Sequence, residues 1–237
     1  ESEDVSLVCE HEKWKEIMRL ITFGCSLTFG TGLPDLWTKK KYKRVINNQL
    51  VRASKYAWPA QLGKILGAVE VLNFSWPGAS NKEITHQVHT FLENYKIHGD
   101  DIIIVNWSHT DRSCLFEIQD DKSVFLNRWG IWSKEKKAMM FFRHLHDEYD
   151  MLYDLHTRIN YVNLLFNRSG VKNLHAYSDD KHRSTYKFSW FKVPMLLSCM
   201  GIVRKLYPKG LDDSHPGEEA HNVYAQVLYN EIKNPSD

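Results

Sequence analysis

Two short segments of the chain carry residue types that can perform nucleophilic catalysis. Ser26 follows Gly24 and Cys25 at the end of an apolar run, and a strand that stops at a small turn residue can present a hydroxyl at the edge of a sheet. Far along the chain, Asp212 and His215 lie in a turn before a predicted helix. Their spacing can place the carboxylate against one imidazole nitrogen and leave the other free to accept the serine proton. The three residues could therefore form a catalytic triad with Ser26 as nucleophile.

The segment that contains Asp212 has a simpler interpretation as well. Asp212, Asp213 and Ser214 directly precede a helical pattern, in which Pro216 would occupy the first turn, where a missing N–H costs nothing. Acidic and hydroxyl residues are favoured helix N-caps. A helix cap and a base with its orienting carboxylate therefore remain alternatives.

Two further segments, NFSWPGASN and SHTDR, could donate hydrogen bonds to a developing oxyanion. Gly78 lies in a predicted turn, where the absence of a side chain lets the backbone N–H approach a substrate oxygen. Ser108 and Thr110 carry hydroxyl donors. His109 lies in a polar loop, where a lone histidine is more often simply solvated.

The elements that must position these residues follow from the hydrophobic pattern. Strands are predicted at four apolar, β-branched runs, at 19–23, 69–74, 101–107 and 171–177. Helical patterns are found at 56–66, 80–96, about 137–167 and 216–233. The alternation predicts an α/β fold with a mostly parallel sheet between two layers of helices. Since ligands bind at the carboxyl ends of such strands, the candidate residues are expected to converge on one rim.

Most of the chain is predicted to form one domain, residues 18–237. Residues 1–17 are interpreted as an N-terminal extension appended to it, because Met18 directly precedes the first apolar run. The segment 113–140 fits the alternation poorly, and long insertions in compact domains are usually lids or binding loops. We therefore expect this segment to be an insertion that covers the site.

Composition excludes several classes of protein. Of the 237 residues, 43% are hydrophobic and 25% are charged, which is typical of a globular domain. The net charge of +2 gives no reason to expect a nucleic-acid partner, and the basic cluster at 39–44 is interpreted as a solvated loop. No cofactor or metal site is predicted, since His86 and His89 share a helix face without other metal ligands beside them.

The cysteine pattern and the apolar segments indicate the compartment. The four cysteines are scattered without a CxxC pair, which favours reduced thiols inside a cell. No run reaches the ~18 apolar residues of a membrane span, and the acidic N-terminus lacks the features of a signal peptide. We therefore expect a cytoplasmic protein that does not bind membranes.

Taken together, four segments resemble the sequence blocks of the SGNH (GDSL-like) hydrolase superfamily in order and spacing. They are FGCSLT, NFSWPGASN, IIIVNWSHTDR and DDSHP. The resemblance implies a three-layer, flavodoxin-like α/β/α fold. It further implies that Ser26 is the nucleophile, that His215 is the base and that Asp212 orients it. The oxyanion hole would be formed by the backbone N–H groups of Ser26 and Gly78 together with a residue of the third block.

Two positions depart from the family pattern. The usual aspartate before the nucleophile is Cys25, a change that the family tolerates. The asparagine of the third block, whose amide normally completes the oxyanion hole, is replaced by Thr110. A hydroxyl reaches less far than an amide, and loss of one oxyanion donor can cost roughly 3 kcal/mol of transition-state stabilisation.

The sequence therefore predicts a serine esterase that hydrolyses a small acyl ester, with an O-acetylated carbohydrate as the leading substrate. The tryptophans suggest this substrate, because flat aromatic faces suit stacking on sugar rings. The candidate substrate-binding residues are Trp37, Trp76, Trp107 and Ser108. Two alternatives remain: a non-catalytic binding module that retains the fold, and a thiol enzyme that uses Cys25. The latter requires Cys25 to face His215 in place of its neighbour Ser26.

Overall fold

Four parallel strands form the central sheet. The computed structural model describes residues 18–36, 52–119, 123–179 and 188–234. The sheet consists of β1 (Arg19–Phe23), β2 (Glu70–Asn73), β3 (Ile102–Trp107) and β6 (Lys172–Tyr177), in the order β2-β1-β3-β6. Every neighbouring pair is parallel, as the continuous apolar runs of β1 and β3 predict. The predicted strands are thus confirmed, and their carboxyl ends share one rim.

Helices cover both faces of this sheet. They are α1 (Ser26–Phe29), α2 (Trp58–Leu66), α3 (Asn81–Asn94), α4 (Lys136–His144), α5 (Glu148–Arg168), α6 (Met200–Leu206) and α7 (Glu218–Lys233). Phe23 of β1 packs against Phe91 of α3 and Phe166 of α5, whereas Leu20 of the same strand faces α2. Helix α2 in turn packs against α7, where the rings of Trp58 and Tyr224 meet edge to face. The predicted three-layer α/β/α architecture is therefore confirmed.

Two predicted helices differ from those found. The pattern at 137–167 is interrupted after His144, and α5 begins anew at Glu148 because the Asp147 side chain caps it by accepting the N–H of Asp150 at 3.0 Å. The final helix begins at Glu218, so the prediction that Pro216 occupies its first turn is wrong. A backbone bridge pairs Pro216 with Lys209 instead.

The segment that interrupts the α/β alternation contains an antiparallel hairpin. Strands β4 (Arg112–Gln119) and β5 (Ser123–Gly130) pair with each other and form a separate sheet. The hairpin joins the end of β3 to α4. It therefore starts at the rim where the candidate residues lie. Among the described residues, no helix combines the length and the apolarity needed to cross a bilayer.

Candidate active site

Ser26 is the first residue of α1, directly beyond the carboxyl end of β1. As such it contributes one of the N–H groups that lack a partner within their helix. The preceding turn is fixed by Gln87, whose amide accepts the N–H of Gly24 and donates to its carbonyl, both at 3.2 Å. Ser26 is only 4% exposed. The sharp end of the first strand thus holds the serine in a closely packed turn.

Cys25 lies within the protein interior. Its side chain is fully buried, with Sγ 3.9 Å from the hydroxyl of Ser178 at the end of β6. A thiol in this position has no access to a substrate, which argues against the interpretation of the chain as a thiol enzyme.

Asp212 and His215 form a hydrogen-bonded pair. Oδ2 of Asp212 lies 2.6 Å from Nδ1 of His215, and Oδ1 accepts the backbone N–H groups of Ser214 and His215 at 3.1 and 3.0 Å. Burial alone would raise the pKa of Asp212, but these hydrogen bonds outweigh it and hold the pKa below its ordinary value. The carboxylate is 6% exposed and the imidazole 25%. The carboxylate is therefore fixed, while the histidine ring reaches solvent.

This geometry excludes the helix-cap interpretation of Asp212. The N-cap of α7 is Gly217, and no side chain caps that helix. The carboxylate of Asp212 instead accepts hydrogen bonds within its own turn, which leads to His215.

The turn of Asp212 packs directly against the turn that follows the candidate nucleophile. The N–H of Leu211 donates to the carbonyl of Gly32 at 2.9 Å. Gly32 has a φ of +86°, and a β-carbon at that position would lie 2.6 Å from Oδ1 of Asp212. Only glycine therefore allows this approach. Among the described residues no hydrogen bond joins Ser26 Oγ to His215, a contact that in free enzymes often forms only when substrate binds.

Two candidate oxyanion donors lie at the same rim. Gly78 adopts a left-handed conformation, with a φ of +79°, in the turn after β2. Thr110 follows β3 and borders a cavity of about 370 Å³ between the start of α3, the start of β4 and α5. Its carbonyl lies 3.3 Å from Nε2 of His146. His215 borders a different cavity, so the structure separates the surroundings of these two residues.

Ser108 and Trp107 are fully buried, which argues against the prediction that they bind substrate. The amide of Asn81 accepts the N–H of Ser108 at 2.8 Å and donates to its carbonyl at 3.2 Å. Trp107 donates its indole N–H to Nδ1 of His175, and burial lowers the pKa of that histidine to about 3. Both residues are therefore part of the packed support beneath the rim. The signal that places Trp107 in the core is its position as the last residue of β3, a strand whose residues from Ile103 onward are all buried.

Trp76 remains at the surface of the candidate site. Its half-buried ring packs on Phe29 of α1 and lies 5.6 Å from the guanidinium of Arg128. Arg128 belongs to β5 and also forms an ion pair with the buried Glu83 of α3. Trp37 lies outside the described residues. The hairpin is thus attached beside Gly78 through Arg128, a residue that nothing in the local sequence pattern indicates.

A second histidine–aspartate pair lies on the same rim. Nδ1 of His109, after β3, lies 3.2 Å from Oδ2 of Asp179, after β6. The interpretation of His109 as a solvated loop residue is therefore wrong. Burial, followed by the positive charge of Arg112, lowers the pKa of His109 below its ordinary value. The sequence analysis did not identify Asp179, although it follows the carboxyl end of a predicted parallel strand, as the other candidate residues do.

The described residues include no group of three His, Cys, Asp or Glu side chains that could hold a metal ion.

Comparison with known proteins identifies the fold. No family model and no curated protein sequence matches the chain. Among solved structures, TesA superposes with a TM-score of 0.53 at 12% identity, with 91% of this chain and 98% of that one covered. The psychrotrophic esterase EstA from Pseudoalteromonas sp. gives a TM-score of 0.49 at 11% identity, with 91% and 96% covered.

A member of the lipolytic protein G-D-S-L family from Veillonella parvula gives a TM-score of 0.47 at 9% identity, with 92% of this chain and 99% of that one covered. The superposition on TesA confirms the three-layer α/β/α fold that the four sequence blocks predict.

Proposed function

We propose that the protein is a serine esterase that hydrolyses a small acyl ester through a Ser26–His215–Asp212 triad. The observation that carries this proposal is the Asp212–His215 pair, packed against the turn that follows the short helix α1, which begins at Ser26. The same pair occurs in the sequence block where the SGNH fold carries its base. The fold therefore supports ester hydrolysis, and the pair supports the assignment of roles.

The proposed reaction begins when Ser26 Oγ attacks the ester carbonyl carbon and transfers its proton to Nε2 of His215. The carbonyl π electrons move to the oxygen, which becomes an oxyanion. The tetrahedral intermediate collapses, the bond to the alcohol oxygen breaks, and the imidazolium donates its proton to that oxygen. Water then attacks the acyl-enzyme with His215 as base, and the acid and free Ser26 are released. Asp212 remains ionised throughout and stabilises the imidazolium.

The oxyanion is proposed to accept hydrogen bonds from the N–H groups of Ser26 and Gly78 and from the hydroxyl of Thr110. The first two donors are supported by the start of α1 and by the left-handed turn at Gly78. Thr110 replaces an amide donor, so turnover is expected to be slow for this fold. One lost oxyanion donor corresponds to a reduction of about 10²-fold or more in kcat.

The leading substrate is an O-acetyl ester on a carbohydrate. Of the four tryptophan and serine candidates, Trp76 supports this proposal, because its half-buried ring packs on Phe29 of the helix that begins at Ser26, and flat aromatic rings suit stacking on sugars. Comparison of p-nitrophenyl esters with two, four and eight carbons against acetate release from acetylated sugars tests the acyl preference. Faster cleavage of longer chains would overturn the small-acyl proposal.

A non-catalytic binding module is the second candidate function. It is favoured by Thr110 in place of the family's asparagine and by a Ser26 hydroxyl that, among the described residues, makes no hydrogen bond to His215.

Labelling with a fluorophosphonate probe, followed by peptide mapping, distinguishes the two functions. An esterase is labelled at Ser26, and labelling disappears in Ser26→Ala while Cys25→Ala retains it. An absence of labelling in folded protein, together with no ester turnover, would establish the binding module instead.

A further inference from the structure

The cavity that borders His215 is lined by several positively charged side chains. It measures about 450 Å³ and is lined by Arg204, Lys205, Tyr207, Lys209, Ser214, His215 and Pro216. Three of these residues are cations and none is a carboxylate. Asp212 is turned toward its own loop, where its carboxylate contacts the N–H of Ser214 and both the N–H and Nδ1 of His215. The cavity is therefore a cationic pocket in a protein whose overall net charge is only +2.

The position of Arg204 links this cavity to the remainder of the rim. Arg204 lies on α6, whose Gly201 donates its N–H to the carbonyl of Ser178 at the end of β6. Its positive charge contributes to the lowered pKa of His109, after the larger effects of burial and Arg112. The cationic cavity therefore lies between the ends of the central strands and the turn of His215, and not on a remote surface.

The proposed mechanism defines which part of the substrate enters this cavity. His215 must donate a proton to the alcohol oxygen of the ester, so the alcohol portion lies on the His215 side of the reacting carbon. The acyl portion and the oxyanion lie toward Gly78 and Thr110, and Thr110 borders a separate cavity. The cationic residues therefore face the alcohol that leaves.

We infer that the physiological substrate is an ester whose alcohol portion carries a negatively charged carboxylate or phosphate group, held by Arg204 and Lys209. This inference rests on the proposed esterase function and narrows its substrate. A guanidinium binds such groups through charge-assisted hydrogen bonds, and an exposed ammonium adds attraction at longer range. An acetylated acidic sugar, or an acetylated sugar phosphate, would combine this charge with the ring that Trp76 suits.

Matched acetate esters test the inference. The substrates are 4-acetoxybenzoate, which carries a carboxylate on its leaving group, its neutral methyl ester, and 4-acetoxyphenyl phosphate. Each kcat/KM is divided by the hydroxide-catalysed rate of the same ester, so that intrinsic reactivity cancels. We expect the anionic esters to be preferred by about tenfold, the effect of one charge-assisted contact, with the preference decreasing as salt is added. Whichever anionic ester has the higher normalised kcat/KM shows whether the cavity prefers a carboxylate or a phosphate.

Substitutions of the cavity residues test whether the cavity causes the preference for anionic esters. Arg204→Gln and, at a more exposed position, Lys209→Gln should each reduce the ratio of anionic to neutral turnover by several-fold. Lys64→Gln is the matched control, because Lys64 lies at the end of α2 and near the opposite edge of the sheet, and the ratio should not change. A wild-type ratio of one or less, or a ratio that neither variant alters, would overturn the inference.

A second experiment tests the anion preference if the protein turns out not to be an esterase. If the wild type hydrolyses none of the esters, calorimetric binding to Ser26→Ala decides whether the cavity selects anions. Tighter binding of 4-acetoxybenzoate than of its methyl ester, weakened by the additional Arg204→Gln change, would retain the inference for a binding module. Equal binding of the two esters would refute it.

Discussion

The rim of the sheet carries two histidine–aspartate pairs that differ in how they are built. Asp212 and His215 belong to one turn, and their facing atoms lie 2.6 Å apart. His109 and Asp179 follow two different strands, and their facing atoms lie 3.2 Å apart. In the first pair the carboxylate is 6% exposed and the imidazole 25%, whereas both side chains of the second pair are 16% exposed.

The two pairs are also surrounded differently. Asp212 accepts two backbone N–H groups of its own turn, so the carboxylate is oriented before any substrate arrives. His109 lies close to the cations Arg112 and Arg204, which oppose the charge that a general base must acquire. A histidine–aspartate contact alone therefore does not define a base. A carboxylate fixed within its own turn and an imidazole that reaches solvent are needed as well.

The largest expected effect comes from exchanging the carboxylates for amides. Asp212→Asn should reduce kcat by about 10³-fold or more, because it removes the charge that stabilises the imidazolium and disturbs the choice of ring tautomer. Asp179→Asn should reduce kcat by less than about tenfold, the scale of a single weakened hydrogen bond. Steady-state kinetics on p-nitrophenyl acetate measures both. Equal losses in the two variants would mean that the second pair participates in the chemistry.

Asp213→Asn is the matched control for Asp212→Asn. Asp213 lies in the same turn with a φ of 56°, a left-handed conformation that asparagine also adopts readily. The substitution therefore removes a charge next to His215 without strain. Circular dichroism should show all three variants folded, and kcat of Asp213→Asn should stay within a few-fold of the wild type.

A smaller decrease in kcat is expected when Thr110 is changed. Because Thr110 follows His109 directly, its variants test whether the loop after β3 stabilises the oxyanion. Thr110→Val keeps the shape and removes the hydroxyl, so kcat should decrease by roughly 10- to 100-fold if Thr110 replaces the family's asparagine. Thr110→Asn should increase kcat, because the longer amide reaches further. Unchanged turnover in Thr110→Val would remove Thr110 from the oxyanion hole.

The parts of the fold that local pattern controls could be predicted. The strand β1 and the candidate nucleophile after it follow from a five-residue run with three apolar residues and a turn, and β3 follows from an apolar run buried on both faces. The Asp212–His215 pair is contained in four consecutive residues. These features depend on contacts within a few positions of the chain, which a single sequence displays.

The parts that depend on distant contacts could not be predicted. Asp179 meets His109 only because β3 and β6 are neighbours in the sheet, and Arg128 reaches Trp76 only because the hairpin packs beside the turn of Gly78. Pro216 lies outside α7 because its backbone pairs with Lys209. Strand order and loop docking determine these contacts, and residue types alone do not reveal them.

The smallest expected effect is a change in the pKa of His109. Burial and Arg112 lower this pKa, while Asp111 and Asp179 oppose the change, and the net direction is downward. His109 is therefore expected to lose its proton at a lower pH than an ordinary histidine does. Arg112→Gln removes a positive charge and should raise the pKa, and Asp179→Asn removes a negative charge and should lower it further. Imidazole ¹H–¹⁵N NMR across pH 4 to 8 measures all three. A wild-type pKa above that of an ordinary histidine would make the second pair an ion pair, and burial with the charge of Arg112 would no longer explain why His109 is not the base.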